Sequence, residues 1–296
     1  MLVNRLRVMW LTLVVVSLVV LGGFASALAQ DATVAPPEGL VTDGKLTYGV
    51  AASFPPYEYQ ENGEYKGFDI ELGAAIAALM GLQPEIVDMQ FDGLIPALQG
   101  NRIDLINSAM YIKAEREEQV DFIPYMIIGE AIVVPKGNPL GITSMDDLSG
   151  RTVAVTVGAI EEIYANEANA KLKAAGKPEM TVLTLPTAND AVLATTQGRA
   201  DAYLHSTPGA AFLMQEMPDT FEVAGIFALD TRIGIAVRKG DTAMKEAIQA
   251  ALDALVANGT YDELMAKYNL PADLSLFAEG AATPEASGAA TPEASS

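Results

Sequence analysis

The chain has 296 residues, 38 Asp and Glu against 18 Lys and Arg, a formal charge of −20, one histidine and no cysteine. That balance argues against nucleic acid as a partner, because phosphate binding needs a basic face. The missing cysteines exclude disulfides, a thiolate nucleophile, a cysteine zinc site and a lipidated N-terminal cysteine.

At the N-terminus, Arg5 and Arg7 precede an apolar run from Val8 to about Leu21, closed by Ala27-Leu28-Ala29. A charged start, an apolar core and a small-x-small site read as a secretory signal peptide over residues 1–29. An uncleaved anchor is the rival, since Val8 to Ala29 is nearly long enough to span a bilayer. Export without cysteine fits a protein secreted to a bacterial periplasm or cell surface. Residues 281–287 recur at 289–295 as Ala-Ala-Thr-Pro-Glu-Ala-Ser. The tail 279–296 has little to bury and is expected to be disordered. What lies between signal and tail suffices for two lobes.

In chain order, Lys45 to Ala51 reads as a strand, and Pro55-Pro56 stiffens the following loop, Ser53 to Tyr59. Phe54 there is either core or a flat wall for a ligand. Leu72, Ile76, Leu79 and Met80 stripe a helix over Phe68 to Gly81. A strand Glu85 to Met89 leads to a helix capped by Asp92 and ending near Gln99-Gly100. Ile103 to Ile106 is a strand that runs into Asn107–Arg116 and an exposed helix, Lys113 to Gln119. Such a strand end is where α/β sheets present ligand-binding groups. The guanidinium of Arg116 suits a carboxylate or phosphate; its plainer reading is a surface arginine beside Glu115 and Glu117.

Glu130 to Val134 is the next strand, and Ser144 to Asp147 is a small capping box. Thr152 to Thr156, the turn Val157-Gly158-Ala159 and a helix from Ile160 to Ala175 form a strand, turn and helix N-terminus. Those backbone N–H groups suit an anion, although no P-loop signature follows. Thr181 to Leu185, a helix Asn189 to Gln197 and a strand Ala200 to Leu204 continue the alternation. Ser206 or Thr207 then caps a helix with Pro208 in its first turn. Thr231 to Val237 is a strand, Met244 to Val256 a striped helix, and Thr260 to Glu263 a capping box for the last helix. One echo stands out: the segment Asp92 to Asp104 is repeated in kind by Asp190 to Asp201. Each is a helix, a Gln-Gly stop and an Asp-bearing strand, followed by Asn107-Ser108 in one copy and His205-Ser206 in the other. Two related α/β lobes imply a cleft between them.

Gly67-Phe68-Asp69-Ile70-Glu71-Leu72, Phe91 to Leu98, Arg116 before Val120-Asp121-Phe122, and Asn258-Gly259-Thr260-Tyr261 resemble the polar amino-acid solute-binding proteins of ABC transporters, solute-binding family 3. The likeness runs from about Lys45 to Leu270, and His205-Ser206-Thr207-Pro208 suggests the glutamine-binding branch. It implies an α/β, two-lobed periplasmic-binding-protein fold of the class II type. Each lobe would be a mixed sheet flanked by helices, with two hinge crossings. Lobe 1 would be 44–126 plus 231–270 and lobe 2 127–230, closing on a ligand as a hinge.

By the same resemblance, Phe54 and Phe91 would sandwich a ligand side chain. Arg116, Ser108 and backbone donors near Ala109 and Tyr111 would hold its carboxylate, with the helix start at Ala159-Ile160 opposite. His205 and Ser206 would complete the wall. The implied partners are a small amino acid or related carboxylate and an ABC transporter permease. The protein would be a monomer that meets the membrane only through the transporter, with no cofactor and no metal.

The sequence departs from that family where the ligand's amine should sit, because Ser206 stands where an acid is usual and Ala51 or Ala52 stands at a second such position. Tyr111 and Thr156 also replace other polar residues. Either Glu161 or Glu162 takes over the ammonium, or the ligand is a carboxylate without one, including aromatic and heterocyclic acids. The plainer reading of both glutamates is a solvated first turn favoured by the helix dipole. The alternative function is a cyclohexadienyl-dehydratase-like enzyme acting on prephenate or arogenate, with Glu161, Glu162 or His205 as general acid.

Overall fold

The computed structural model describes residues 33–278; the signal-peptide and tail readings lie outside the described residues. The strands are β1 Lys45–Val50, β2 Ser53–Phe54, β3 Glu58–Glu61, β4 Glu64–Lys66, β5 Gln83–Asp88, β6 Leu105–Ile106, β7 Val120–Pro135, β8 Thr152–Thr156, β9 Thr181–Leu185, β10 Ala202–Ser206 and β11 Phe221–Arg238. Eight form one mixed sheet in the order β5-β1-β6-β11-β7-β10-β8-β9, while β2-β3-β4 form a small antiparallel sheet. Strands β5, β1 and β6 are parallel, as are β10, β8 and β9, and β7 and β11 run antiparallel between the two groups. Each lobe is therefore three parallel strands beside one half of the long pair. Helices Phe68–Leu79, Leu94–Gln99, Thr242–Ala257 and Thr260–Lys267 pack on the first, and Ile160–Ala174, Ala188–Thr196 and Thr207–Glu216 on the second. Among the described residues no helix is long and apolar enough to cross a membrane.

The long strands correct the sequence reading most. Glu130 to Val134 is the end of a 16-residue strand, and Thr231 to Val237 lies within one of 18 residues. β7 is buried along most of its length, so period-two alternation is masked, while β11 is half-buried or exposed over most of Phe221 to Asp230 and buried mainly from Thr231 onward. Pro124 and Gly129 further break the apolar signal. The ladder shifts register between Phe227 and Thr231, where Ala228 takes φ 48°. The supposed loop after β1 holds β2 and the start of β3, paired across Pro55-Pro56-Tyr57, and β3 doubles back into β4 through an Asn62-Gly63 turn with both φ positive, as tight hairpins require.

Smaller corrections concern the caps. Asp92 lies inside a 3₁₀ turn, Phe91–Gly93, and its side chain caps nothing. The last helix begins after Gly259 with no side-chain cap, so the Thr260 box does not form, whereas the Ser144–Asp147 box does. The exposed helix after Asn107–Arg116 shrinks to Ala114–Glu117. Gly67, at φ 129°, starts the helix Phe68–Leu79 so close to Tyr57 that an added Cβ would lie 2.1 Å from its carbonyl oxygen.

The echo in the sequence has a structural meaning. Asp104 accepts the Thr47 N–H at 2.8 Å and donates its own N–H to the Thr47 carbonyl. Asp201 treats Thr152 in the same way, also at 2.8 Å. Each aspartate pins the start of the neighbouring parallel strand.

Candidate functional site

The carboxyl ends of β1, β6, β8 and β10 converge between the lobes, as the topology requires. There a cavity of about 30 Å³ is lined by Ala51, Ser53, Phe54, Glu58, Phe91, Ser108, Ala109, Tyr111, Thr156, Ala159, Ile160, Glu161 and Ala188. Of the expected site residues, Phe54, Phe91, Ser108, Ala109, Tyr111, Ala159, Ile160 and Glu161 thus share one wall. Arg116, His205, Ser206 and Glu162 stand behind it or beside it.

Arg116 is 6% exposed rather than on the surface. It donates to the Tyr111 carbonyl and, across the cleft, to the Gly158 carbonyl, both at 2.8 Å. Its guanidinium lies 5.3 Å from the centre of the Phe91 ring. Burial pulls its pKa down to about 10, and Glu161 is the strongest charge holding it up.

His205 and Ser206 end β10, because that strand runs to Ser206 rather than stopping at Leu204. The Ser206 hydroxyl accepts the Gly209 N–H at 3.1 Å and caps the following helix. The His205 ring packs edge-on against Phe54 at 4.9 Å, backing that wall. Gly209 allows this, since a Cβ there would lie 2.3 Å from the imidazole. Burial holds the His205 pKa down at about 3, so the ring is neutral. Glu162 accepts the Gly158 N–H at 2.6 Å, capping its own turn.

Glu161 is different: at 2% exposure it is not the solvated first-turn residue of the plainer reading. Burial pushes its carboxyl up to about 7, against the pull of its own backbone N–H and of Arg116. The expected donor at Ala109 is already engaged, because its N–H goes to Asp69 at 2.6 Å.

Sequence reasoning missed the other acids. Glu58, 1% exposed, accepts from the Ser108 hydroxyl at 2.8 Å, while its Oε2 finds no partner among the described residues. Next to it Asp69 accepts from Tyr125 at 2.7 Å. Burial pushes Asp69 up to about 7, and burial and then Asp69 raise Glu58 well above the carboxylate range. Asp69 has the more charge-favouring donors, Tyr125 and the Ala109 N–H. Glu130 accepts from the Tyr111 phenol and is raised in its turn by burial and then by Glu161. One signal could have found Glu130: a lone acid inside Ile127-Ile128-Gly129-Glu130-Ala131-Ile132 is costly to bury unless it has a role. Glu58 offered no such signal, sitting in a segment read as a loop.

Beyond the cavity, a groove of about 640 Å³ shares Ala51, Ser53, Phe91 and Thr156 with it and adds Glu61, Asp88 and Glu216. Tyr59 and Phe212, from opposite lobes, meet beside this mouth at 5.7 Å. Another groove, of about 610 Å³, lies past that contact, but its Lys66 and Lys267 are paired with Glu61 and Glu71. Among the described residues no group of three or more His, Asp or Glu side chains is placed to hold a metal ion.

Residues 46–271 match the profile of the bacterial extracellular solute-binding proteins, family 3. The L-arginine-binding protein of Pseudomonas aeruginosa is 34% identical over 238 residues, which are 76% of this chain and 88% of that protein. An ancestral arginine-binding protein solved with arginine is 38% identical at a TM-score of 0.70, covering 76% of this chain and 98% of that one. The ancestral amino acid-binding protein AncCDT-1, a precursor of cyclohexadienyl dehydratase, is 34% identical at a TM-score of 0.67, covering 76% and 95%.

Proposed function

Because the chain belongs to the bacterial extracellular solute-binding proteins of family 3, we propose that it is the extracytoplasmic solute-binding component of an ABC importer and captures a small, positively charged solute of amino-acid type. One observation carries the charge: among the described residues the only Asp, Glu, Lys or Arg side chains lining the cavity are Glu58 and Glu161, one from each lobe. An acid-lined, buried wall favours a cation over an anion. At about 30 Å³ the cleft is closed on itself, so a solute enters by the lobes parting about β7 and β11 and is held when they return. The signal-peptide reading of residues 1–29 supports export, and the protein acts as a monomer that meets the membrane through the permease. Arginine binding by the named relatives agrees with a cationic ligand.

A thermal-shift panel of basic, neutral and acidic amino acids and simple amines tests this, since a bound ligand raises the melting temperature by mass action. Basic members stabilise the protein and acidic ones leave it unchanged. Stabilisation by acidic members alone sinks the reading. A second reading rests on the raised carboxyl of Glu161 at the cavity wall, which suits a general acid, and on the likeness to AncCDT-1. It is a decarboxylating dehydratase, and aromatisation of prephenate or arogenate by the purified protein would establish it.

A further inference from the structure

The family resemblance assigns a ligand's carboxylate to Arg116 and to the helix start at Ala159-Ile160. In this chain a carboxyl of the protein itself stands at that helix start. Glu161 is the second residue of the 15-residue helix Ile160–Ala174 and lies buried on the cavity wall. Its charge is favoured by its own N–H at the helix start and by Arg116, and a carboxylate there answers the helix dipole. The outer nitrogens of Arg116 both donate to carbonyls, and the Tyr111 phenol on the same wall donates to Glu130. The guanidinium and the wall hydroxyl each have acceptors from the protein itself, and Glu161 stands where the helix N-terminus opens on the cavity. Across the cavity, Glu58 Oε2 is buried without a partner among the described residues. An ammonium or guanidinium supplies several donors to such oxygens.

We propose that Glu161 permanently fills the place of a ligand carboxylate, so that the protein selects cationic amines without a carboxylate over the amino acids that correspond to them. This rests on the solute-binding reading above and narrows it. A ligand carboxylate would meet Glu161 at the helix start and Glu130 behind Tyr111. A cation without one stands between Glu58 of one lobe and Glu161 of the other and draws the two together, so selection and closure share one interaction.

Calorimetry at a single pH and salt concentration, with agmatine against L-arginine and cadaverine against L-lysine, tests the proposal. In each pair the amine is expected to bind at least tenfold more tightly. Glu161→Gln keeps the shape and removes the charge, and the preference should fall towards one. Glu161→Gly frees the helix N-terminus, and the preference should reverse by tenfold or more; circular-dichroism melting of both variants establishes that they fold. Arginine and lysine binding the wild type as tightly as their amines overturns the inference and leaves the cationic-solute reading standing. Failure of both pairs beside tight binding of an acidic amino acid overturns both.

Discussion

The two lobes are built alike and equipped differently. Asp104 and Asp201 hold Thr47 and Thr152 by the same pair of backbone contacts. The helices before them close alike, with Arg102 N–H on the Ala97 carbonyl and Arg199 N–H on that of Ala194. Past the strands the likeness ends. After β6, Asn107 donates to the Asp69 carbonyl and Ser108 to Glu58, tying the strand end to a buried acid pair. After β10, Ser206 turns back to cap its own helix. The second lobe contributes its acid elsewhere, at Glu161. A repeated scaffold thus fixes where strand ends converge, while single substitutions decide what chemistry stands there.

Four measurements press on that contrast. Arg116 comes from the first lobe and sustains the charge of Glu161 in the second, so Arg116→Ala should have the largest effect. It leaves a buried carboxylate without its cation, and solute binding measured by calorimetry should weaken by about 3 kcal/mol or more. Unchanged affinity would mean that the lobes do not depend on each other in this way.

Next, Asp104→Ala should cost more than Asp201→Ala in urea unfolding, about 2–3 against about 1 kcal/mol. Asp104 is fully buried and accepts the Val41 and Thr47 N–H groups, whereas Asp201 is half-buried and takes Thr152. Equal costs would make the two copies energetic equals.

Each lobe also holds a buried carboxyl raised to about 7, Asp69 in the first and Glu161 in the second. A carboxyl raised on folding favours the native state fully below its unfolded pKa, and that stability is lost as pH rises through the folded value. Melting temperature should therefore fall between about pH 4.5 and pH 7, less steeply in Glu161→Gln than in the wild type. Parallel curves would show that Glu161 is already ionised in acid.

The smallest effect concerns the two predicted capping boxes. Ser144→Ala should cost the second lobe about 1 kcal/mol, and Thr260→Ala should change the first by less than about 0.5 kcal/mol. A cost at Thr260 matching that at Ser144 would mean that a cap forms there in solution.

Thr152–Thr156 and Thr181–Leu185 were legible to the residue, because each is a short β-branched run with turn residues on both sides. The Asp92 and Asp190 repeats gave the lobe plan for the same reason: their signals are local. The long pair β7 and β11 was not legible: β7 is covered on both faces and loses alternation, and the first half of β11 is largely exposed and interrupted by Gly225 and Asp230. The site divides in the same way. Phe54 follows from its place after a strand, and Phe91 and Tyr111 from the family resemblance, but the buried pairs Glu58 with Asp69 and Glu130 with Glu161 join residues that no local pattern links. Ser206 was read both as a cap and as part of the ligand wall, because a hydroxyl that can cap a helix and one that can face a ligand look the same in sequence; the cap is what forms.

The pairing of β6 with β11, Ile106 against Ala236, bears on how the chain is made. The first lobe leaves the ribosome first and is completed last. Its β1 and β6 wait for the far end of β11, which follows the whole of the second lobe, so the sheet closes through contacts of high sequence separation, which form slowly. Until that strand arrives, the early half has an open sheet edge. Refolding of the full chain should accordingly be slower than formation of the second lobe's own β8, β9 and β10 ladder, whose partners lie closer along the chain.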